Sequence, residues 1–248
     1  MPLPAAAVLA LDTSTERLAV GVQAGGACLA VNAPGGAAAS STLLPQIHAL
    51  LAQAGLGLAD LGHIAYGRGP GAFTGLRTAC AVAQGLGLGL GRPLLGIDSL
   101  LIVAEDACAL LSASEPFDIG VAMDARMDEV YAGRYRWTGG RWQVLQPPGL
   151  YTLDALAAAW ATVAEQAPLQ AVAGSALAAF GARLRLPAAA VRVEHEHDRA
   201  AALLRLAVRA AAAGEGIDAA KALPLYLRDK VALTTVEREA VREARAAA

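Results

Sequence analysis

LALDTSTERLAVGV, residues Leu9 to Val22, and GVAMDARMDEVYAGRY, residues Gly120 to Tyr135, are the two stretches that decide the fold. Each starts as an apolar run, breaks at a turn that opens on Asp12 or Asp124, and resumes with period-two alternation, the pattern of two strands joined by a short polar turn. Outward from the first copy, strands are expected at Val8 to Leu11, Leu18 to Gln23 and Ala27 to Asn32. A helix follows from about Ser41 to Ala54, with Pro45 in its first turn and Gly55 as its stop. Then come a strand at Ile64 to Gly67, a helix from about Thr74 to Leu90, a strand at Leu94 to Ile97 and a helix opening at Asp98 or Ser99. Outward from the second copy the order returns: strands at Asp118 to Met123, Glu129 to Trp137 and Arg141 to Leu145, then a helix from about Leu153 to Ala164. A strand at Gln170 to Ala173, a helix at Ser175 to Leu184, a strand near Val191 to Glu194 and an amphipathic helix between an Asp198 cap and Gly214 complete it.

A chain of 248 residues that is 56% hydrophobic and only 4% aromatic must build its core from Ala, Leu and Val, whose small side chains let helices and strands approach closely. A net charge of −2 lacks the basic footprint of an autonomous nucleic-acid binder. Cys28, Cys80 and Cys108 are odd in number, far apart and set in apolar surroundings, which suits a reducing compartment and neither a disulfide framework nor a zinc site. The opening residues have no charged n-region or cleavage pattern, and the apolar run from Ala79 to Leu90 is too short to span a bilayer. The expectation is a cytoplasmic protein without a membrane segment.

The duplicated meander with helix, strand and helix resembles the actin, hexokinase and Hsp70 superfold, an α/β fold of two RNase H-like lobes whose strand turns face each other across a cleft. The lobes are expected over 1–113 and 114–220, with the helix at 198–213 packing back on the first lobe and 221–248 as a tail. VEREAVREARAAA, after Leu233, reads as a frayed, solvated helix.

YGRGPGAFTGLRTACAVAQGLG, Tyr66 to Gly87, joins a strand to a helix through a glycine turn. Thr74 is placed to cap that helix. Backbone N–H groups in such a loop can hold an anion, but the loop is not a P-loop, and a plain structural turn is the leading reading. The stretch resembles the GPGSFTGLR signature of the TsaB family, with Ala72 in place of the serine. LALDTST at Leu9 to Thr15, LLPQI at Leu43 to Ile47, DARMDEVY at Asp124 to Tyr131 and PLYLRDKVA at Pro224 to Ala232 agree in order and spacing. The motif residues are Asp12, Thr13 and Ser14; Gly69, Gly71, Phe73, Thr74, Gly75 and Arg77; and Asp124 and Arg126. Many relatives carry a histidine shortly before LLP; here the segment reads AAASSTLLP, and its role is absent or taken over by Ser40 or Ser41.

The resemblance implies a non-catalytic subunit, without a cofactor, that supports the transferase TsaD. With the ATPase TsaE, the pair would move a threonylcarbamoyl group onto the adenosine beside the tRNA anticodon, tRNA being met only through the complex. TsaD binds metal through two histidines on one helical face. Here His48 is followed one turn later by Ala52, and no HxxxH occurs. DTST and DARMDE lack the glycines that let backbone N–H groups close on phosphate, and Arg126 is placed to fill the cleft itself. Those gaps oppose two enzyme readings, a kinase of the same superfold and an M22-type metallopeptidase. Asp12 and Asp124 are either remnants of an ancestral nucleotide site or turn residues bonding their own backbone, the latter being preferred. His195 and His197 read as an exposed polar edge ahead of a metal pair. In TsaB relatives the first two helices pair with those of TsaD; that assigns partner contact here to Leu43, Leu44, Ile47, Leu50 and Leu51 and to Leu76, Ala79 and Ala83, a patch through which the free protein could also form a homodimer.

Overall fold

The computed structural model describes residues 7–164 and 168–228. Its first sheet contains β1 (Ala7–Asp12), β2 (Arg17–Ala24), β3 (Ala27–Pro34), β4 (Leu61–Gly69) and β5 (Leu94–Asp98) in the order β3-β2-β1-β4-β5. The second contains β6 (Phe117–Asp124), β7 (Glu129–Thr138), β8 (Arg141–Thr152), β9 (Ala171–Ala173) and β10 (Val191–Val193), ordered β8-β7-β6-β9-β10. In both sheets the three meander strands pair antiparallel and the last two join in parallel, so one topology is used twice. It is the duplicated arrangement of the actin, hexokinase and Hsp70 superfold.

All six residues of β1 are buried because both sheet faces are covered. Alternation along the strand sends Leu9 and Leu11 to one side, where α1 (Ala39–Gln53) and α2 (Phe73–Leu90) add Leu43, Ile47, Leu50, Leu51, Ala79 and Ala83. Val8 and Ala10 point the other way, onto Ile102 of α3 (Ser99–Leu110) and Leu203, Leu204 and Ala207 of α6 (Arg199–Ala212). The other side of α3 places Leu100, Val103 and Ala107 against Ile119, Val121 and Tyr135 of the second sheet. One helix is thus shared by both lobes. On the far side of the second sheet, α4 (Leu153–Ala164) and α5 (Ala176–Phe180) bury Leu156, Trp160 and Leu177. Among the described residues no helix is long and apolar enough to cross a membrane.

Several local expectations are corrected. The turn at Gly36–Ala38 runs straight into α1, which starts at Ala39, so Pro45 lies inside the helix and not in its first turn. The Thr42 hydroxyl donates to the Ala38 carbonyl at 3.0 Å, reinforcing that added turn. The helix α2 begins at Phe73 after Ala72, so Thr74 lies within the first turn and caps nothing. Strand β8 runs on to Thr152 instead of ending at Leu145; it is an edge strand with register shifts opposite Ala132 to Tyr135, where Pro147 and Pro148 need no ladder N–H. The helix expected to reach Leu184 stops at Phe180, and Gly181, with φ 52°, starts a tighter 3-10 turn. The tail after Leu233 lies outside the described residues.

The lobes meet at Asp98, which caps α3 by accepting the Leu100 N–H at 2.9 Å and accepts a hydrogen bond from the Tyr135 hydroxyl at 2.7 Å. Burial lifts the Asp98 carboxyl above the usual carboxylate range, against the pull of those two donors. A carboxyl raised on folding favours the folded state while protonated, and that contribution fades as pH climbs from about 4, where the unfolded chain titrates, through the folded value. Asp98→Asn keeps a cap and an acceptor but cannot ionise. Its urea midpoint should therefore match the parent's below about pH 4 and exceed it at pH 7; a deficit at pH 7 that disappears in acid would show that the ionised carboxylate is required.

Candidate functional site between the lobes

A cleft of about 750 Å³ separates the lobes. Its first wall is the β1–β2 turn. Asp12 is fully buried and accepts the Ser14 N–H at 2.7 Å and the Ser14 hydroxyl at 2.8 Å. Arg199, on the first turn of α6, reaches the same carboxylate with Nε at 3.4 Å, donates to the Ser14 hydroxyl at 3.0 Å and pairs through Nη1 with Glu196 at 2.5 Å. Burial works against the guanidinium's charge, yet Asp12 and Glu196 outweigh it and hold the pKa above the ordinary arginine value. The turn's carboxylate is therefore neutralised from inside the protein, where a phosphate-handling turn would leave it facing the ligand.

The glycine loop is closed in the same way. The Ala72 N–H donates to the Ser14 carbonyl at 2.8 Å, and the Gly69 N–H to the Ser99 hydroxyl at 3.1 Å. The Thr13 hydroxyl donates to the Gly75 carbonyl at 2.6 Å. A Cβ on Gly71 would stand 2.6 Å from the Ser14 carbonyl oxygen, and one on Gly75 would overlap the carbonyl of Thr13. Gly71 and Gly75 let the chain's own β1–β2 turn lie against α2, and the Ala72 N–H serves that contact in place of an anion.

Across the cleft, Asp124 accepts the Arg126 N–H at 2.8 Å and donates its own N–H to the Ser175 hydroxyl at 3.1 Å. Both acidic turn residues thus bond their own turns, the preferred reading. Arg126 does not fill the cleft: its side chain is 78% exposed at the rim, 3.5 Å from Asp124 and 4.0 Å from Glu16 of the first lobe. The third wall is the segment Leu225 to Arg228, in which the Tyr226 ring stacks on Phe73 at 5.1 Å and takes a hydrogen bond from Arg77 at 3.1 Å. Four of the five sequence motifs thus converge on one space. His195 and His197 are both exposed, at the rim and outside it respectively.

The partner residues are not brought to a surface. Leu43, Ile47, Leu50, Leu51, Leu76, Ala79 and Ala83 are all buried in this chain's own core, and of that set only Leu44, at 42%, is exposed. Helical periodicity shows which residues share a face but not which face meets the sheet. The outer face carries Leu44, Pro45, His48, Ala49 and Ala52 of α1 with Ala81, Gly85, Leu88 and Gly89 of α2. Leu88 is 61% exposed, and α1 holds no Asp, Glu, Lys or Arg, while α2 holds only Arg77. Arg199 was also missed by sequence reading, since beside the Asp198 cap it looks like any helix arginine.

Residues 36–235 match the family model described as TsaD, tRNA N6-adenosine threonylcarbamoyltransferase. The chain is 31% identical over 235 residues, 91% of its length and 96% of the relative's, to the tRNA threonylcarbamoyladenosine biosynthesis protein TsaB of Escherichia coli (strain K12). The chain belongs to the TsaB (YeaZ) family. A Haemophilus influenzae protein described in the same words is 40% identical over 124 residues, about half of each chain. Among solved structures, YeaZ from Pseudomonas aeruginosa superposes with a TM-score of 0.77 at 35% identity, over 90% of this chain and all of that one. A second Pseudomonas aeruginosa structure, called an uncharacterized protein with similarity to peptidase YEAZ, gives 0.79 at 37% identity over the same shares.

In this family member, two substitutions test the closed turn. Arg199→Met strands the buried Asp12 carboxylate and should cost about 3–5 kcal/mol of folding stability, read by urea denaturation. Gly75→Ala should cost about 3 kcal/mol through its clash with Thr13, while Gly85→Ala on the same helix, whose Cβ meets open space, should gain about 1 kcal/mol. Equal effects for the two glycines would refute the close approach.

Proposed function

We propose that this chain is a non-catalytic partner subunit of a TsaD-type transferase, acting in the cytoplasm in the transfer of threonylcarbamoyl to the adenosine beside the tRNA anticodon. The observation that carries the reading is the outer face of α1 and α2, where exposed Leu44 and Leu88 flank small residues and no carboxylate or lysine interrupts. A helix pair of the partner can approach closely there, because Gly85 and Gly89 present no side chain and nothing stands within 4 Å of where one would be. The relatives named for threonylcarbamoyladenosine biosynthesis supply the pathway, and the match to the TsaD model supports a partner of like fold, since two related helix pairs can pack as one bundle. The non-catalytic assignment is supported by Asp12, whose carboxylate is already paired with Arg199. tRNA would be met through the assembled complex, in keeping with a net charge of −2, with the ATPase TsaE as third component. Without its partner the chain would self-associate through the same face.

The test mixes the purified chain with TsaD of the same organism, follows the complex by size exclusion, and assays tRNA modification with each component left out in turn. Modification at full rate without this chain would end the proposal. Leu44→Asp and Leu88→Asp place an unpaired charge in a desolvated contact, at a cost on the order of 3–5 kcal/mol, which weakens binding at least a hundredfold and leaves the free chain folded but monomeric. Ile47→Asp, at a fully buried position, should instead unfold the first lobe.

A further inference from the structure

Residues Leu223 to Arg228 form a strap that starts on the first lobe and ends on the second. On the first lobe, the Tyr66 hydroxyl donates to the Leu223 carbonyl at 3.2 Å and the Leu225 N–H donates to the Arg68 carbonyl at 2.6 Å. The approach needs Gly69, which has φ 118° and whose absent Cβ would lie 2.6 Å from the Leu225 carbonyl oxygen. Just before the strap, Gln84 of α2 donates to the Ala222 carbonyl at 3.0 Å. On the second lobe, Arg228 donates to the Ala125 carbonyl at 2.9 Å and pairs with Glu129 at 2.6 Å, its side chain only 15% exposed.

The loop that Arg228 grips is costly for its sequence. Arg126, Met127 and Asp128 have φ values of 65°, 58° and 58°, three successive non-glycine residues in the left-handed region, where Cβ crowds the carbonyl. Such a run persists only where its surroundings hold it. From its own lobe it has the Ala125 N–H to Glu129 carbonyl bond at 3.0 Å, the Glu129 N–H to Arg126 carbonyl bond at 3.1 Å and the Asp124 cap. Arg183 pairs with Asp128, but both side chains are well over half exposed, so solvent screens the pair. Arg228 alone among these contacts combines burial, a carboxylate and a loop carbonyl, and it arrives from a segment anchored on the other lobe.

We propose that Arg228 is an interlobe clamp: it holds the left-handed loop in place and fixes how far the cleft stands open, so that displacing the strap from α2 is transmitted to the cleft wall. The inference does not rest on the transferase reading and holds for the isolated chain.

Hydrogen exchange on the full chain tests it, comparing Arg228→Ala, Arg228→Lys, Glu129→Gln and Arg183→Ala. Losing a charge-assisted bond to the loop should speed exchange at Ala125, Arg126 and Glu129 about tenfold in Arg228→Ala, with a similar local change in Glu129→Gln. Arg228→Lys keeps the charge but not the fork and should restore part of the protection. Exchange in Ala171 to Ala173 should stay at the parent rate throughout, and Arg183→Ala should leave the loop as it is. Small-angle scattering should show a larger radius of gyration for Arg228→Ala than for Arg183→Ala. Unchanged exchange at Ala125 to Glu129 in both Arg228→Ala and Glu129→Gln, or an acceleration shared equally by the whole second sheet, would overturn the clamp.

Discussion

A carboxylate and a guanidinium almost out of reach of water, Asp12 and Arg199, join β1 to α6. Neither charge could be buried alone, because the cost of removing an ion from water is met only by a partner and well-placed hydrogen bonds. The pair therefore fixes where the β1–β2 turn must lie, and the rest of the cleft follows from that position. With the turn in place, Thr13 meets the first turn of α2, Ser14 receives the glycine loop, and the motif glycines are required at the points of contact. The same pair holds α6 under the first sheet although the chain has by then passed through the second lobe. From there α6 reaches outward again, with Arg205 and Arg209 on the buried Glu105 of α3, which also accepts the Trp142 indole N–H from the second lobe.

Closing the turn from inside has a consequence at the surface. An enzyme of this superfold spends its strand turns on phosphate and moves its lobes around it; here the turns bond to themselves and the lobes are joined by α3, by Asp98 with Tyr135, and by the strap. The proposed partner contact falls on the outside of the first lobe. There two helices bury one side against β1 and its neighbours and leave outward a side with no carboxylate or lysine, Arg77 being its one exposed Arg. A rigid interior suits the proposed contact, since a surface that packs closely against helices gains from being held in one shape.

The duplicated topology was legible in the sequence because period-two runs, acidic turns and helical spacing are local, and both copies carried them in the same order. The Asp198 cap and the turn role of Asp12 and Asp124 were readable for the same reason. Helix ends were less so. The start of α1 depended on a preceding 3-10 turn, and the start of α2 on how the glycine loop packs, neither of which leaves a local signature.

By itself the sequence determined the element order, the twofold repeat, the family and the shortage of glycine beside the acidic turns, all properties of residues near one another along the chain. Only the tertiary structure decided which side of α1 and α2 faces solvent, exchanging Leu43, Ile47, Leu50 and Leu51 for an outer face around Leu44 and Leu88. It alone brought Arg199 to Asp12 across 187 residues and Arg228 to Ala125 across 103. The reason is physical: a periodic pattern states that residues share a side, whereas the direction of that side, and the partner of a buried charge, are set by which other surfaces the folded chain places against it.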